Sequence, residues 1–224
     1  MNRKAVKGLK DKEIRESGED KLKDKRCVVV YVHGKGGSSG ESKHYKALFE
    51  ESDVIGFDYH SDNPRDAKEE FKDFQDHLLK DYEDIILIAN SIGAFFSLMS
   101  FDPAKIKKTF LISPVVDMER LILDMLMWSG KSEKDLKQEV LIQTAFGETL
   151  SWEYLCYVRE HPVYWKGETH ILYGEKDNLT EYSTIKGFAD RTGASLTVME
   201  DGEHWFHTEE QMAFLDEWIK KACK

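Results

Sequence analysis

The chain has 224 residues, enough for one well-buried core and short for two, so a single domain with one site is expected, with room for a small insertion. Hydrophobic residues make up 41% and charged residues 33%, the mixture of a soluble globular protein. Its 32 basic side chains face 42 acidic ones, and a net charge of −10 repels phosphate backbones and anionic lipid surfaces, which argues against nucleic acid or a membrane as partner.

The first 26 residues are mostly Lys, Asp, Glu and Arg, too poor in large apolar side chains to offset the entropy of ordering, so they read as an exposed or loosely docked leader. They lack the apolar core of a signal peptide, and no later run approaches the roughly 18 apolar residues of a membrane span, so a cytoplasmic location is expected. The domain proper is expected over 27–224. It opens with Cys27–His33, a near-continuous β-branched run ended by glycines, as in a strand buried on both faces. Val54–Tyr59, Ile85–Ala89, Thr109–Ile112 and Thr169–Tyr173 are four more such runs, and Ser195–Met199 is a weaker sixth. Asn63 followed by Pro64 predicts a helix start, with Phe71, Phe74, Leu78 and Leu79 at helical spacing up to Lys80. Thr208 and Gln211 form a capping-box pattern ahead of a last amphipathic helix through Phe214, Leu215, Trp218 and Ile219.

Strands alternating with helices predict an α/β fold: a mostly parallel sheet of about six strands with helices on both faces, its ligand beyond the carboxyl ends of the strands. The interval 115–165 breaks the alternation. It shows only helical patterns, such as Met118–Trp128 and Ser151–Arg159, and reads as a helical insertion. Its large apolar groups, among them Trp128, Phe146, Trp152, Tyr154 and Tyr157, serve either ordinary packing or a lid over an apolar pocket. Cys27, Cys156 and Cys223 have no CxxC spacing, so neither a disulfide framework nor a metal site is suggested.

Four short motifs carry chemistry. Ala89-Asn90-Ser91-Ile92-Gly93 joins the third core run to a small and apolar helix former, and small residues two before and two after Ser91 permit a tight turn that exposes its hydroxyl at a helix N-terminus. His33-Gly34-Lys35-Gly36-Gly37 ends the first run, where glycines allow close backbone approach and free N–H groups can hold a developing oxyanion. A phosphate loop is the rival there, but neither the Gly-Lys-Ser/Thr order nor the G-x-G-x-x-G register is met, Ser39 standing in the last position. Asp177 follows the fifth run in Tyr173–Asp177, and His204 lies in the loop before the last helix. An acid and a histidine at two strand ends can converge on a serine at a third.

These motifs together resemble the α/β-hydrolase family, from Cys27 to Ile219 and most closely its small intracellular serine hydrolases. The family order of serine, acid and histidine matches Ser91, Asp177 and His204. The departures are Ala89 in place of the first elbow glycine and no clear antiparallel strands before Cys27. The resemblance implies Ser91 as nucleophile, His204 as general base, Asp177 as the acid orienting it, and a helical cap at 115–165. It also implies the backbone N–H groups of Lys35 and Ile92 as oxyanion donors, with His33, Gly34, Gly36 and Gly37 supporting that loop. No cofactor is required. His207 competes with His204, and Glu175 with Asp177. The expected activity is hydrolysis of a small or medium acyl ester; an aminopeptidase-like or other acyl-transfer enzyme, and a non-catalytic binding protein, are the alternatives.

Overall fold

The computed structural model of the protein describes residues 26–223, with Arg26 as backbone only, so the charged leader expected over 1–26 lies outside the described residues apart from that position. Among the described residues, eight strands and seven α-helices follow one another. The chain begins with β1 (Arg26–Val32), a 3₁₀ segment (Ser39–Ala47), β2 (Asp53–Phe57), α1 (Pro64–Leu78), β3 (Tyr82–Asn90), α2 (Ser91–Ser100) and β4 (Ile106–Ile112). Then come α3 (Met118–Trp128), α4 (Glu133–Glu139), β5 (Leu141–Gln143), β6 (Thr149–Ser151) and α5 (Trp152–Glu160). The last elements are β7 (Thr169–Gly174), α6 (Tyr182–Thr192), β8 (Ser195–Met199) and α7 (Glu209–Ala222).

Six strands form one sheet in the order β2-β1-β3-β4-β7-β8, every neighbouring pair parallel. The expected architecture is thus present, and the two-residue period of a strand explains why it has two cores. Along β1, Val28, Val30 and Val32 enter the core on one face, while Val29 and Tyr31 enter the other. Phe71 of α1, Phe95 and Phe96 of α2 and Phe188 of α6 fill the first face; Tyr45 of the 3₁₀ segment and Leu215, Trp218 and Ile219 of α7 fill the second. Both predicted caps form: Asn63 accepts the N–H groups of Arg65 and Asp66 with Pro64 at the first turn, and Thr208 with Gln211 completes a capping box.

The interval 115–165 departs from the purely helical reading. Between α4 and α5, β5 and β6 pair antiparallel as a hairpin, with Ile142 opposite Leu150 and both buried. Each strand has three residues, too few for an alternating pattern to stand out in the sequence. The aromatic surplus there is also differently spent. Trp165 is buried in the core, Trp128, Phe146 and Tyr164 are exposed, and only Tyr154 of the large aromatics reaches the cavity described below.

Candidate active site

Ser91 stands where β3 turns directly into α2, with φ of 50°. A non-glycine residue in that left-handed region is held against its own sterics, and here the two flanking elements impose it. The reward is placement: the side chain leaves the carboxyl end of a central strand at the N-terminus of a ten-residue helix whose dipole favours negative charge. The turn needs a glycine at 93, because a Cβ there would lie 2.2 Å from the His33 carbonyl oxygen. Position 89 has no such demand, and Ala89 is simply buried between Val32 and Leu111 of the neighbouring strands.

Three elements bring the predicted polar residues together. Ser91 Oγ is 2.9 Å from His204 Nε2, and His204 Nδ1 is 2.7 Å from Asp177 Oδ2. Asp177 is an acceptor, so His204 donates from Nδ1 and turns its Nε2 lone pair toward the serine hydroxyl. The Asp177 side chain has no exposed surface; its Oδ1 accepts the N–H groups of Leu179 and Thr180 at 2.8 and 3.0 Å, and Thr180 Oγ1 donates to Oδ2 at 3.2 Å. A carboxylate so held has one orientation left for its imidazole partner. The loops bearing the acid and the histidine are stitched to each other, since the Lys176 N–H donates to the Gly202 carbonyl at 2.7 Å.

The two competing residues make other contacts. Glu175 does not face the imidazole; its Oε2 accepts the N–H of Asp201 at 3.1 Å and braces the histidine loop. His207 is exposed, stacks on Trp205 at 4.5 Å and donates from Nδ1 to the Trp205 carbonyl.

The glycine loop lies beside Ser91. The Gly37 N–H donates to the Gly34 carbonyl at 3.1 Å, closing a turn whose third residue, Gly36, has φ of 76°. Lys35 sits inside that turn, and Ile92 is the second residue of α2, where backbone N–H groups have no intrahelical acceptor. Both line the cavity in front of Ser91. His33 donates from Nδ1 to the Gly34 carbonyl at 2.8 Å and stacks on Tyr59, whose hydroxyl donates to the His33 carbonyl at 3.0 Å. Burial, with the Glu70 carboxylate adding to it, pushes the Tyr59 phenol up to about 12, so it stays a donor.

The sequence reading missed Glu41, which holds the loop from behind. Its Oε1 accepts the Ser38 N–H at 3.1 Å and its Oε2 accepts the Tyr31 hydroxyl, which also neighbours Asn90, the residue before the nucleophile. Burial, with Tyr45 and Glu41 close by, holds the Tyr31 phenol far above its ordinary range, so it remains protonated. A signal was present: Ser38 followed three residues later by Glu41 is itself a capping box.

A cavity of about 360 Å³ opens in front of Ser91, lined by aliphatic Val115, Met118, Leu121, Ile122 and Met125, by Phe96 below, and by the hairpin and Tyr154 of the 115–165 interval. On its other side Ser91 also borders an outer cleft of about 340 Å³ with His204, Asn90 and Trp205. Among the described residues there is no cluster of three or more His, Cys, Asp or Glu side chains that could hold a metal ion, and no helix long and apolar enough to cross a membrane.

No protein-family model matches the sequence, and no curated protein matches it. Solved structures do match in three dimensions. Est1E from Butyrivibrio proteoclasticus superposes with a TM-score of 0.69 at 16% identity, covering 91% of this chain and 88% of its own. Alpha/beta hydrolase domain-containing protein 10 from mouse gives 0.66 at 14% identity over 87% and 88%. A proline iminopeptidase-related protein from Thermus thermophilus gives 0.59 at 19% identity over 89% of each chain. The chain has the α/β-hydrolase fold.

Proposed function

We propose that the protein is a serine hydrolase that cleaves a carboxylic ester whose acyl group occupies the apolar cavity. The observation that carries this reading is the unbroken hydrogen-bonded run Ser91–His204–Asp177 at a positive-φ strand-to-helix turn that opens on that cavity. His204 takes the hydroxyl proton as Ser91 Oγ attacks the acyl carbonyl, and Asp177 keeps the imidazole in the right tautomer and stabilises the imidazolium. The N–H groups of Ile92 and Lys35 hold the tetrahedral oxyanion, and His204 returns the proton to the departing alkoxide, which leaves through the outer cleft. Water activated by His204 then attacks the acyl-enzyme and frees the acid and Ser91.

Similarity in fold to hydrolases supports this class, and the triad is equally suited to amide cleavage, as the iminopeptidase-related neighbour suggests. The lining favours the ester reading: the cavity wall is aliphatic, and Glu148, one of its few acids, is already paired with Lys35 instead of facing a free amino group. The test is labelling by a fluorophosphonate probe at neutral pH. The native protein should label and Ser91→Ala and His204→Ala should not. A folded native protein that stays unlabelled removes the hydrolase reading in favour of a binding protein.

A further inference from the structure

The loop beside Ser91 offers the rest of the protein a single handle. Between His33 and Ser38 the chain reads Gly34-Lys35-Gly36-Gly37, so Lys35 carries the one side chain by which that stretch can be held. The loop is close to the nucleophile, since a Cβ on Gly34 would lie 3.1 Å from Ser91 Cβ. An N–H group serving the oxyanion from there must keep its aim through the reaction, and glycines on both sides leave the backbone free to turn away.

The Gly34–Lys35 peptide is planar, so its N–H points opposite to the Gly34 carbonyl. That carbonyl is held at one end, by the Gly37 N–H at 3.1 Å and by His33 Nδ1 at 2.8 Å. The other end of the peptide is the Lys35 Cα, whose side chain reaches out of the loop: Nζ lies 2.5 Å from Glu148 Oε2, on the hairpin of β5 and β6, 113 residues further along the chain. Glu148 is a fixed post. Its N–H donates to Thr144 Oγ1 at 2.8 Å, and its carbonyl accepts the Thr144 N–H at 2.8 Å and the Thr144 hydroxyl at 3.0 Å. Ile142 and Leu150, on the two strands that this turn joins, are buried in the core.

We propose that Glu148 is a positioning residue for the reaction: by gripping Lys35 Nζ it steadies the Gly34–Lys35 peptide from its second end, so that the 115–165 interval completes the oxyanion site as well as walling the acyl cavity. Glu148 acts through Lys35 and not on the reacting atoms. The Lys35 side chain is 64% exposed and that of Glu148 30%, so the pair is a weak tie whose loss costs roughly 2- to 5-fold. The proposal rests on the hydrolase reading and deepens it by naming a residue outside the triad and its loop on which turnover depends.

The experiment measures kcat and KM for methyl butanoate and methyl octanoate, and the rate of inactivation by a fluorophosphonate, with native protein, Lys35→Met, Glu148→Gln and the double variant. Each single change should lower kcat roughly 2- to 5-fold on both esters alike and leave KM near its native value. Inactivation should slow by the same factor, because the phosphonyl oxygen uses the same donors. The double variant should lose no more than either single one, since the two side chains act as one unit. Unchanged kcat, a loss confined to KM or to the longer ester, which would make Glu148 a contact of the cavity wall, or losses that multiply in the double variant overturn the proposal and leave the hydrolase reading standing. A folded native protein that neither turns over an ester nor labels would instead remove the hydrolase reading and the proposal with it.

Discussion

Among the described residues two serine–histidine–carboxylate chains run through this molecule, at opposite ends of the same sheet. Beyond the carboxyl ends of the strands lie Ser91, His204 and Asp177; at the amino ends of β7 and β8 lie Ser195, His170 and Glu168, with Ser195 Oγ 2.8 Å from His170 Nδ1 and His170 Nε2 3.0 Å from Glu168. By distance alone the two are alike. They differ in everything around the hydrogen bonds. Asp177 is fully enclosed and fixed by two backbone N–H groups, whereas the Glu168 side chain is 54% exposed and also paired with Lys108. Ser91 is thrust out at positive φ on a helix N-terminus beside a cavity, while Ser195 opens an ordinary strand on the surface. The ring is used in opposite senses, Nε2 toward Ser91 and Nδ1 toward Ser195. Under the proposed function a hydrogen-bonded triad is not a nucleophile by itself; the acid must be immobilised, the serine must face a space for substrate, and donors must await the oxyanion.

The sharpest way to break that comparison is to remove each serine. Ser91→Ala should lower ester turnover by roughly 10⁴-fold or more with the fold intact, and Ser195→Ala should leave turnover and labelling unchanged, both read from steady-state kinetics. Equal losses would mean that the surface set takes part. The acids come next: Asp177→Asn should cost roughly 10³- to 10⁴-fold in kcat by spoiling the tautomer, while Glu168→Gln should cost nothing measurable.

Gly93→Ala addresses the turn and not the chemistry. Its methyl would meet the His33 carbonyl at 2.2 Å, and about 1–3 kcal/mol or more of destabilisation is expected from such overpacking. At roughly 2–4 °C per kcal/mol for a chain of this size, thermal melting will show it. The smallest effect concerns Glu41. Glu41→Ala should reduce kcat by roughly 10- to 100-fold with KM nearly unchanged, because the glycine loop proposed to hold the oxyanion loses its brace, and Glu41→Gln should restore much of it by keeping an acceptor for Tyr31. A KM effect instead would place Glu41 against substrate in the outer cleft, which it also lines.

The sequence by itself determined the sheet and pointed to the serine, acid and histidine that the structure brings together. Buried parallel strands are locally conspicuous, since Val28–Val32 or Ile85–Ala89 must be apolar on both faces, and a strand-to-helix turn around Ser91 demands small neighbours within a few residues. Asp177 and His204 were legible because each lies in the loop after a strand, and parallel strands deliver those loops to one side. What only the tertiary structure decided depends on residues far apart in the chain. The hairpin of β5 and β6 is too short to show a period, and the aromatic residues of 115–165 carry no mark telling a core Trp165 from an exposed Trp128 or a cavity-facing Tyr154. Nor could spacing separate Glu175 from Asp177, or the Ser195 set from the Ser91 set. Those distinctions are ones of enclosure and direction, and enclosure exists only once the chain has packed.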